Sequence, residues 1–470
     1  MAQIMPKLET NLVEGHVGKK LIKFALPFLL SNLIQSLYSI ADMIIVGQFN
    51  GTAAMSGVNI GSQITLLVTN LVLGLSVGGT VLIAQYLGAG KRQAIKETIG
   101  TLFTALGVLA VIMTVVPLAI KEPLLRLIQT PQESFADANS YFMITTLGTI
   151  FIFGYNALSA VMRGMGDSKN PLIFVSIACI VNVFGDLLLV AVFHMGAAGA
   201  AIATVFSQAI SMFLCVIYLK KNNFVFDFRL KSFGFHPERL KMILKIGIPT
   251  SIQNTLVSVS FLFLTALVNT LGVTASAAVG AVAKLNGFAI LPAIAMSSSI
   301  SAMSAQNLGA GEIGRAKKTM GIGMLISMSM SVVIFALVQL FPEFCLKLFD
   351  NDAAMIASGV QYLRSFSFDY LLVPFQFSMM GLFIGSGHTT FTLLNSAVAS
   401  LLARIPACYI FGITLGYGLS GIGLGAPVAT AVGVTLSLIF YLSGRWKKMT
   451  IIHKINGDNH GEDSSNLLIS

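Results

Sequence analysis

The sequence predicts an all-α integral membrane protein with twelve transmembrane helices in two six-helix lobes. Three observations carry that expectation: an extreme apolar composition, a regular succession of apolar stretches, and a duplication of half the chain. Hydrophobic residues make up 55% of the 470 residues and charged residues only 10%, against about 25% charged in soluble domains. Mean hydropathy is +0.83. Apolar stretches follow one another from Leu21 to Gly444, each long enough to cross roughly 30 Å of hydrocarbon as a helix. No strand-like alternation is present, and a backbone in lipid must satisfy its own hydrogen bonds, so a helical bundle is expected.

The duplication is read from spacing. Ala84-Gln85-Tyr86-Leu87-Gly88-Ala89-Gly90 returns as Ala305-Gln306-Asn307-Leu308-Gly309-Ala310-Gly311, an offset of 221. Leu26-Pro27 matches Ile248-Pro249 at 222, Gly164-Met165-Gly166 matches Gly385-Ser386-Gly387 at 221, and Gly196-Ala197-Ala198-Gly199 matches Gly418-Leu419-Ser420-Gly421 at 222. Matches in one order at one offset, in so apolar a chain, point to a two-lobed transporter.

Breaks between apolar runs give spans near 21–47, 53–83, 95–119, 137–162, 170–193, 196–219, 240–271, 274–305, 316–341, 356–384, 390–415 and 418–444. With the N-terminus cytoplasmic, the inside segments hold 23 of the 29 Lys and Arg residues, seven of them between 220 and 245. This positive-inside bias places both termini in the cytoplasm. It also accounts for the net charge of +10 without nucleic acid as a partner. Six spans per half, an even number, give both lobes the same orientation and a pseudo-two-fold axis along the membrane normal. The expected division is an N-terminal segment 1–20, an N-lobe 21–219, a cytoplasmic linker 220–239, a C-lobe 240–444 and a cytoplasmic tail 445–470. The first segment lacks a signal-peptide core, and the last 20 or so residues read as disordered.

Five charges fall inside spans: Asp42, Asp186, Lys284, Asp369 and Arg404. Each costs roughly 2.5–3.5 kcal/mol at mid-bilayer on insertion scales, so such residues usually face a cavity and have a function. Asn182 lies one helix turn before Asp186, on the same face. Two carboxylates and an amide oxygen from different helices make a hard-oxygen cage for Na+, or for one proton shared between the acids. The bland alternative puts Asp42 near external water and Asp186 in a helix-helix bond. Lys284 and Asp369, the possible C-lobe charges, read equally well as a structural ion pair or interface position and as partners in coupling. Arg404 is expected to snorkel or to pair with a carbonyl.

Pro27, Pro249, Pro292, Pro374, Pro406 and Pro427 lie in apolar spans and bend them. The repeat-related Pro27 and Pro249 are candidate hinges. The twin Gly-Ala-Gly segments are expected to close helices in left-handed turns. No GxxxxGK[ST] segment follows them, so no nucleotide site and no ATPase subunit are expected. The four cysteines lack CxxC spacing and read as packing residues. The Met and Phe residues would suit a cavity for amphipathic cations, though most must simply pack. Trp446 is expected to anchor at the interface.

The chain resembles the multidrug and toxic compound extrusion (MATE) family over about residues 15–448. The likeness rests on Ala41-Asp42-Met43-Ile44-Ile45-Val46-Gly47, both Gln-x-Leu-Gly-Ala-Gly segments, Arg163-Gly164-Met165-Gly166-Asp167-Ser168, and Gly-x-x-Gly entering spans six and twelve. The major facilitator superfamily shares the span count, but its charged motif after span two is replaced here by Gly-Ala-Gly-Lys-Arg-Gln. Similarity to the DinF-like prokaryotic branch implies a cation or proton site at Asp42, Asn182, Asp186 and Thr204, with Asn156 nearby. It implies that Gln35 and Tyr38 line a substrate chamber. The NorM-like branch has a Glu in span seven, where Ile252-Gln253-Asn254-Thr255 offers none. The resemblance implies a multidrug efflux antiporter of the prokaryotic inner membrane, working as a monomer by alternating access. It would need no cofactor and would exchange organic cations or other amphipathic drugs for H+ or Na+. A lipid or lipid-linked oligosaccharide flippase is the alternative. An integral-membrane enzyme would need clustered nucleophile, base or metal ligands, which the spans do not offer.

Overall fold

The computed structural model describes residues 10–127, 130–222, 224–349 and 351–449. The expected disordered tail, the last 20 or so residues, therefore lies outside the described residues. Every regular element among them is helical. Among the described residues nine helices are long and apolar enough to cross a membrane, and two bent helix pairs raise the number to eleven. The first of these, Val17–Gly88, is interrupted at Gly51, where φ is 81°. No atom approaches a Cβ built there, so the positive φ alone makes the position favour glycine. That break separates spans one and two and brings the count to the expected twelve.

By packing, the chain forms two compact units. One is built on Leu26–Ser251; the other holds Leu12–Ala25 together with the chain from Ile252. Within the first unit, Lys169–Val192 and Gly196–Lys221 are the fifth and sixth spans. The seventh, Pro237–Asn269, belongs to the first unit as far as Ser251 and to the second from Ile252. Within the second, Val273–Gly309, Ile313–Leu340, Thr389–Thr414 and Gly418–Leu442 are spans eight, nine, eleven and twelve. Spans four and ten are the bent pairs: Gln132–Leu147 with Thr149–Gly164 at 51°, and Ala353–Phe366 with Asp369–Gly385 at 45°.

The duplication is visible atom by atom. Spans two and eight both close with the Gly-Ala-Gly turn. Gly90 N–H donates to Leu87 and Lys91 N–H to Tyr86; Gly311 N–H donates to Leu308 and Glu312 N–H to Asn307. Gly90 and Gly311 have φ of 71° and 83°, the left-handed residue this C-cap requires. Gly164, at the end of span four, packs so tightly that a Cβ would stand 2.9 Å from the Thr80 carbonyl oxygen. Its counterpart Gly385 would stand 2.5 Å from that of Ser301. Small residues of this kind let membrane helices approach backbone to backbone. Each unit also carries a π-helical turn late in its fifth span, Leu187–Val192 in one and Ile410–Thr414 in the other.

Two expectations are corrected. Trp446 is not an interface anchor: it is 1% exposed, stacks on Tyr441 and donates its indole N–H to the Tyr441 carbonyl at 3.1 Å. An apolar pocket with a ready acceptor holds the ring better than a headgroup layer. The segment ahead of span one, expected only as a cytoplasmic N-terminal segment, packs into the fold. Leu12 and Val17 are buried in the second unit, and Leu12 N–H donates to the Gln306 side-chain oxygen at 2.7 Å. Pro27 and Pro249 lie inside their helices. Cys215 and Cys408 are buried, and all four cysteines are free.

Candidate functional site

The first unit contains a polar cavity of about 310 Å³. Span one lines it with Gln35, Tyr38 and Asp42, residues three and four apart that fall on one helix face. The two halves of the bent fourth span supply Tyr141 and Thr145, then Tyr155 and Asn156. Span six adds Thr204 and Gln208, again one turn apart, and span two adds Ser62, Thr65 and Thr69. Thr65 and Thr145 join their hydroxyls at 3.1 Å. The Asn156 amide nitrogen is committed to the Ile152 carbonyl at 2.8 Å.

Behind this lining stand Asn182 and Asp186, 1% and 0% exposed, with Asp42 itself at 6%. Asp186 closes the α-helical part of span five and the π-helical turn starts at the next residue. Such turns recur at functional sites because they turn side chains out of the regular register. The Asp42 and Asp186 carboxyls lie within electrostatic reach of one another. Asp42 Oδ1, both Asp186 oxygens and Asn182 Oδ1 are buried without a hydrogen-bond donor, and two carboxylates have none to offer each other unless one holds a proton.

Buried oxygens lacking a donor call for an explanation. Here they converge from two helices, with the Thr204 hydroxyl joined to Asn182 at 3.4 Å. An all-oxygen set with two negative charges is the chemistry that a proton or a small hard cation satisfies. Groups of three or more His, Cys, Asp or Glu able to hold a metal do not occur among the described residues.

Five of the residues marked from sequence, Gln35, Tyr38, Asp42, Asn156 and Thr204, line the one cavity, and Asn182 and Asp186 back it. Tyr141, Thr65, Thr145 and Gln208 were missed. The spacing of Gln208 one turn beyond Thr204 was the available signal. In the second unit, Lys284 is exposed and Asp369 buried, so they do not form the structural pair considered above. Arg404 does not snorkel: it is 9% exposed, donates to the Ser260 hydroxyl at 2.8 Å and lies 4.4 Å from the centre of the Phe261 ring. Those two partners hold the guanidinium within the bundle.

A twelve-span, internally duplicated bundle with a polar cavity in one half is the architecture of a multi-pass membrane transporter. The MatE family model matches residues 27–188 and again 249–410. The chain therefore belongs to the MatE family of secondary transporters and is not an enzyme. The probable multidrug resistance protein YpnP of Bacillus subtilis is 29% identical over 441 residues, covering 94% of this chain and 98% of that protein. The probable multidrug resistance protein NorM of Thermotoga maritima is 26% identical, covering 93% and 94%. The solved structure of a MOP superfamily transporter from Pyrococcus furiosus shares the fold with a TM-score of 0.86 at 22% identity, covering 92% of this chain and 96% of that one.

Proposed function

We propose that this protein is a multidrug efflux antiporter that exchanges organic cations or other amphipathic drugs for H+ or Na+. The observation that carries this reading is the set of donorless buried oxygens of Asp42, Asn182 and Asp186 at the back of the polar cavity. The coupling ion binds there, with the Thr204 hydroxyl as a further oxygen. Gln35, Tyr38 and Asn156 contact the drug in the same cavity. Ion and drug weaken each other's binding, so that loading of the acids releases the drug; such coupling is reciprocal by necessity. The gradient supplies about 2.3 kcal/mol per charge per 100 mV from its electrical part. Relatives named as multidrug resistance proteins support this substrate class over a lipid flippase.

The protein works as a monomer in the prokaryotic inner membrane, with both termini in the cytoplasm, without cofactor or ATPase subunit. Pro27 and Pro249 are the hinges of alternating access. Dye efflux from proteoliposomes under an imposed pH or Na+ gradient tests the assignment. Asp42→Asn and Asp186→Asn are each expected to abolish gradient-driven export while leaving insertion intact. Undiminished export by both variants rules the assignment out.

A further inference from the structure

The first unit holds a second cavity on the other side of span four. Ile152, Tyr155 and Asn156 line the polar cavity, whereas Phe153, Gly154 and Ala157 line an apolar one of about 300 Å³. Its remaining walls come from span three (Arg92–Ala119) with Phe103 and Gly107, from span six with Met212 and Val216, and from the linker with Phe228 and Phe233. Gly107 leaves the space open. Nothing lies within 4 Å of a Cβ built there, so no close contact calls for glycine, which weakens a helix relative to alanine. The cavity is flanked by exposed apolar side chains, Val108 and Val111 on span three and Phe213 and Ile217 on span six. On membrane-spanning helices such faces meet hydrocarbon, so an acyl chain is what reaches the opening.

A polar cavity of about 240 Å³ adjoins the same linker and the start of span three. Its charged lining is Lys96, Glu97, Asp227 and Lys231. Both acids are already paired. Glu97 accepts from Arg239 Nε and Nη2 at 3.1 and 3.0 Å, and Asp227 lies 3.6 Å from Arg229 and accepts from the Ser232 hydroxyl. Lys96 and Lys231 are exposed and have no anion among the described residues. Lys96, Phe103 and Gly107 stand at i, i+7 and i+11, on one face of span three. Lys96 and Gly107 are therefore about 16 Å apart along the helix, close to half of the roughly 30 Å hydrocarbon core. The linker joins the two cavities: Phe226 lines the polar one, and its ring packs on Phe228 and Phe233 of the apolar one at 5.2 and 5.3 Å.

We propose that this face of the first unit binds one anionic phospholipid of the bilayer, with an acyl chain in the cavity over Gly107 and its phosphate against Lys96 and Lys231. Unpaired cationic charge and an open apolar cavity, set one leaflet depth apart on one helix face, match the two ends of that molecule. The site shares no lining residue with the polar cavity around Asp42, and it stands whether or not the antiport reading does.

The test is native mass spectrometry of the full-length protein released from detergent, titrated with dioleoyl phosphatidylglycerol or dioleoyl phosphatidylcholine. The first phosphatidylglycerol is expected to bind about 25-fold tighter than phosphatidylcholine, about fivefold for each lysine. Gly107→Leu, which fills the cavity, loses that tight lipid. Lys96→Gln with Lys231→Gln binds the two lipids equally. Equal affinity of the unmodified protein for both lipids overturns the proposal, as does tight phosphatidylglycerol binding that survives Gly107→Leu. Displacement of the lipid by inorganic phosphate alone overturns the role of the acyl chain. Rhodamine 6G that displaces phosphatidylglycerol and is itself lost in Gly107→Leu makes the cavity a dye site and overturns the lipid assignment. Where Gly107→Leu does not fold, the double lysine variant, at two exposed positions, decides: loss of the preference for phosphatidylglycerol supports the site, and an unchanged preference overturns it.

Discussion

The side-chain nitrogen of Asn182 donates to the Thr204 hydroxyl at 3.4 Å, which leaves the Asn182 oxygen buried without a donor. An amide oriented by one partner presents its oxygen to whatever the neighbouring acids bind. Thr204→Val removes that orienting acceptor while keeping side-chain shape. A hydrogen bond is worth about 1 kcal/mol net, so ion affinity is expected to fall on the order of fivefold. The check is the ion concentration for half-maximal transport, with insertion unchanged. Unaltered ion dependence in Thr204→Val removes the threonine from the site.

Ion binding to the folded state must also appear as stability. A cation present at about 100 times its dissociation constant raises unfolding free energy by about 2.7 kcal/mol. Thermal unfolding in detergent is expected to shift upward with the coupling ion and with no other monovalent cation. The shift disappears in Asp186→Asn. If Na+ gives no shift at fixed pH while transport follows the proton gradient, the coupling ion is H+.

Gly90 and Gly311 test the symmetry of the repeat. Both have positive φ, and nothing lies within 4 Å of a Cβ built at either. Alanine at each position should therefore cost only the left-handed backbone penalty, roughly 1–2 kcal/mol. Similar losses in unfolding midpoint are expected for Gly90→Ala and Gly311→Ala. A much larger loss at one of them would show a packing role specific to that unit.

Trp446 separates core from interface. Its ring is buried against Tyr441 with a satisfied N–H. Trp446→Ala is expected to destabilise the protein by about 3–5 kcal/mol and to lower its yield in detergent. An unchanged unfolding midpoint would restore the interfacial role.

Much of the candidate site was legible because hydrocarbon makes a charge conspicuous. Asp42 and Asp186 break apolar runs, and Asn182 shares a helix face with Asp186. Uncharged polar residues give no such signal. Thr65, Thr145 and Gln208 are inexpensive anywhere in a span, since a threonine can bond its own helix, as Thr65 does to the Gly61 carbonyl at 3.0 Å. Tyr141 was equally silent, because an aromatic residue in a span usually just packs. The bends of spans four and ten were not legible either: Gly148 and Phe368, where they fall, resemble many other positions.

The sequence by itself determined the number of spans, the duplication and the identity of the acids, because periodicity, hydropathy and offset are properties of the chain in order. Only the tertiary structure decided that the oxygens of Asp42, Asn182 and Asp186 are buried without a donor, that Asn182 and Thr204 join, and that Arg404 stays buried over Phe261. Such meetings depend on which face each helix turns toward its neighbours. Helix rotation is set by packing partners far away in the chain, so order alone does not contain it.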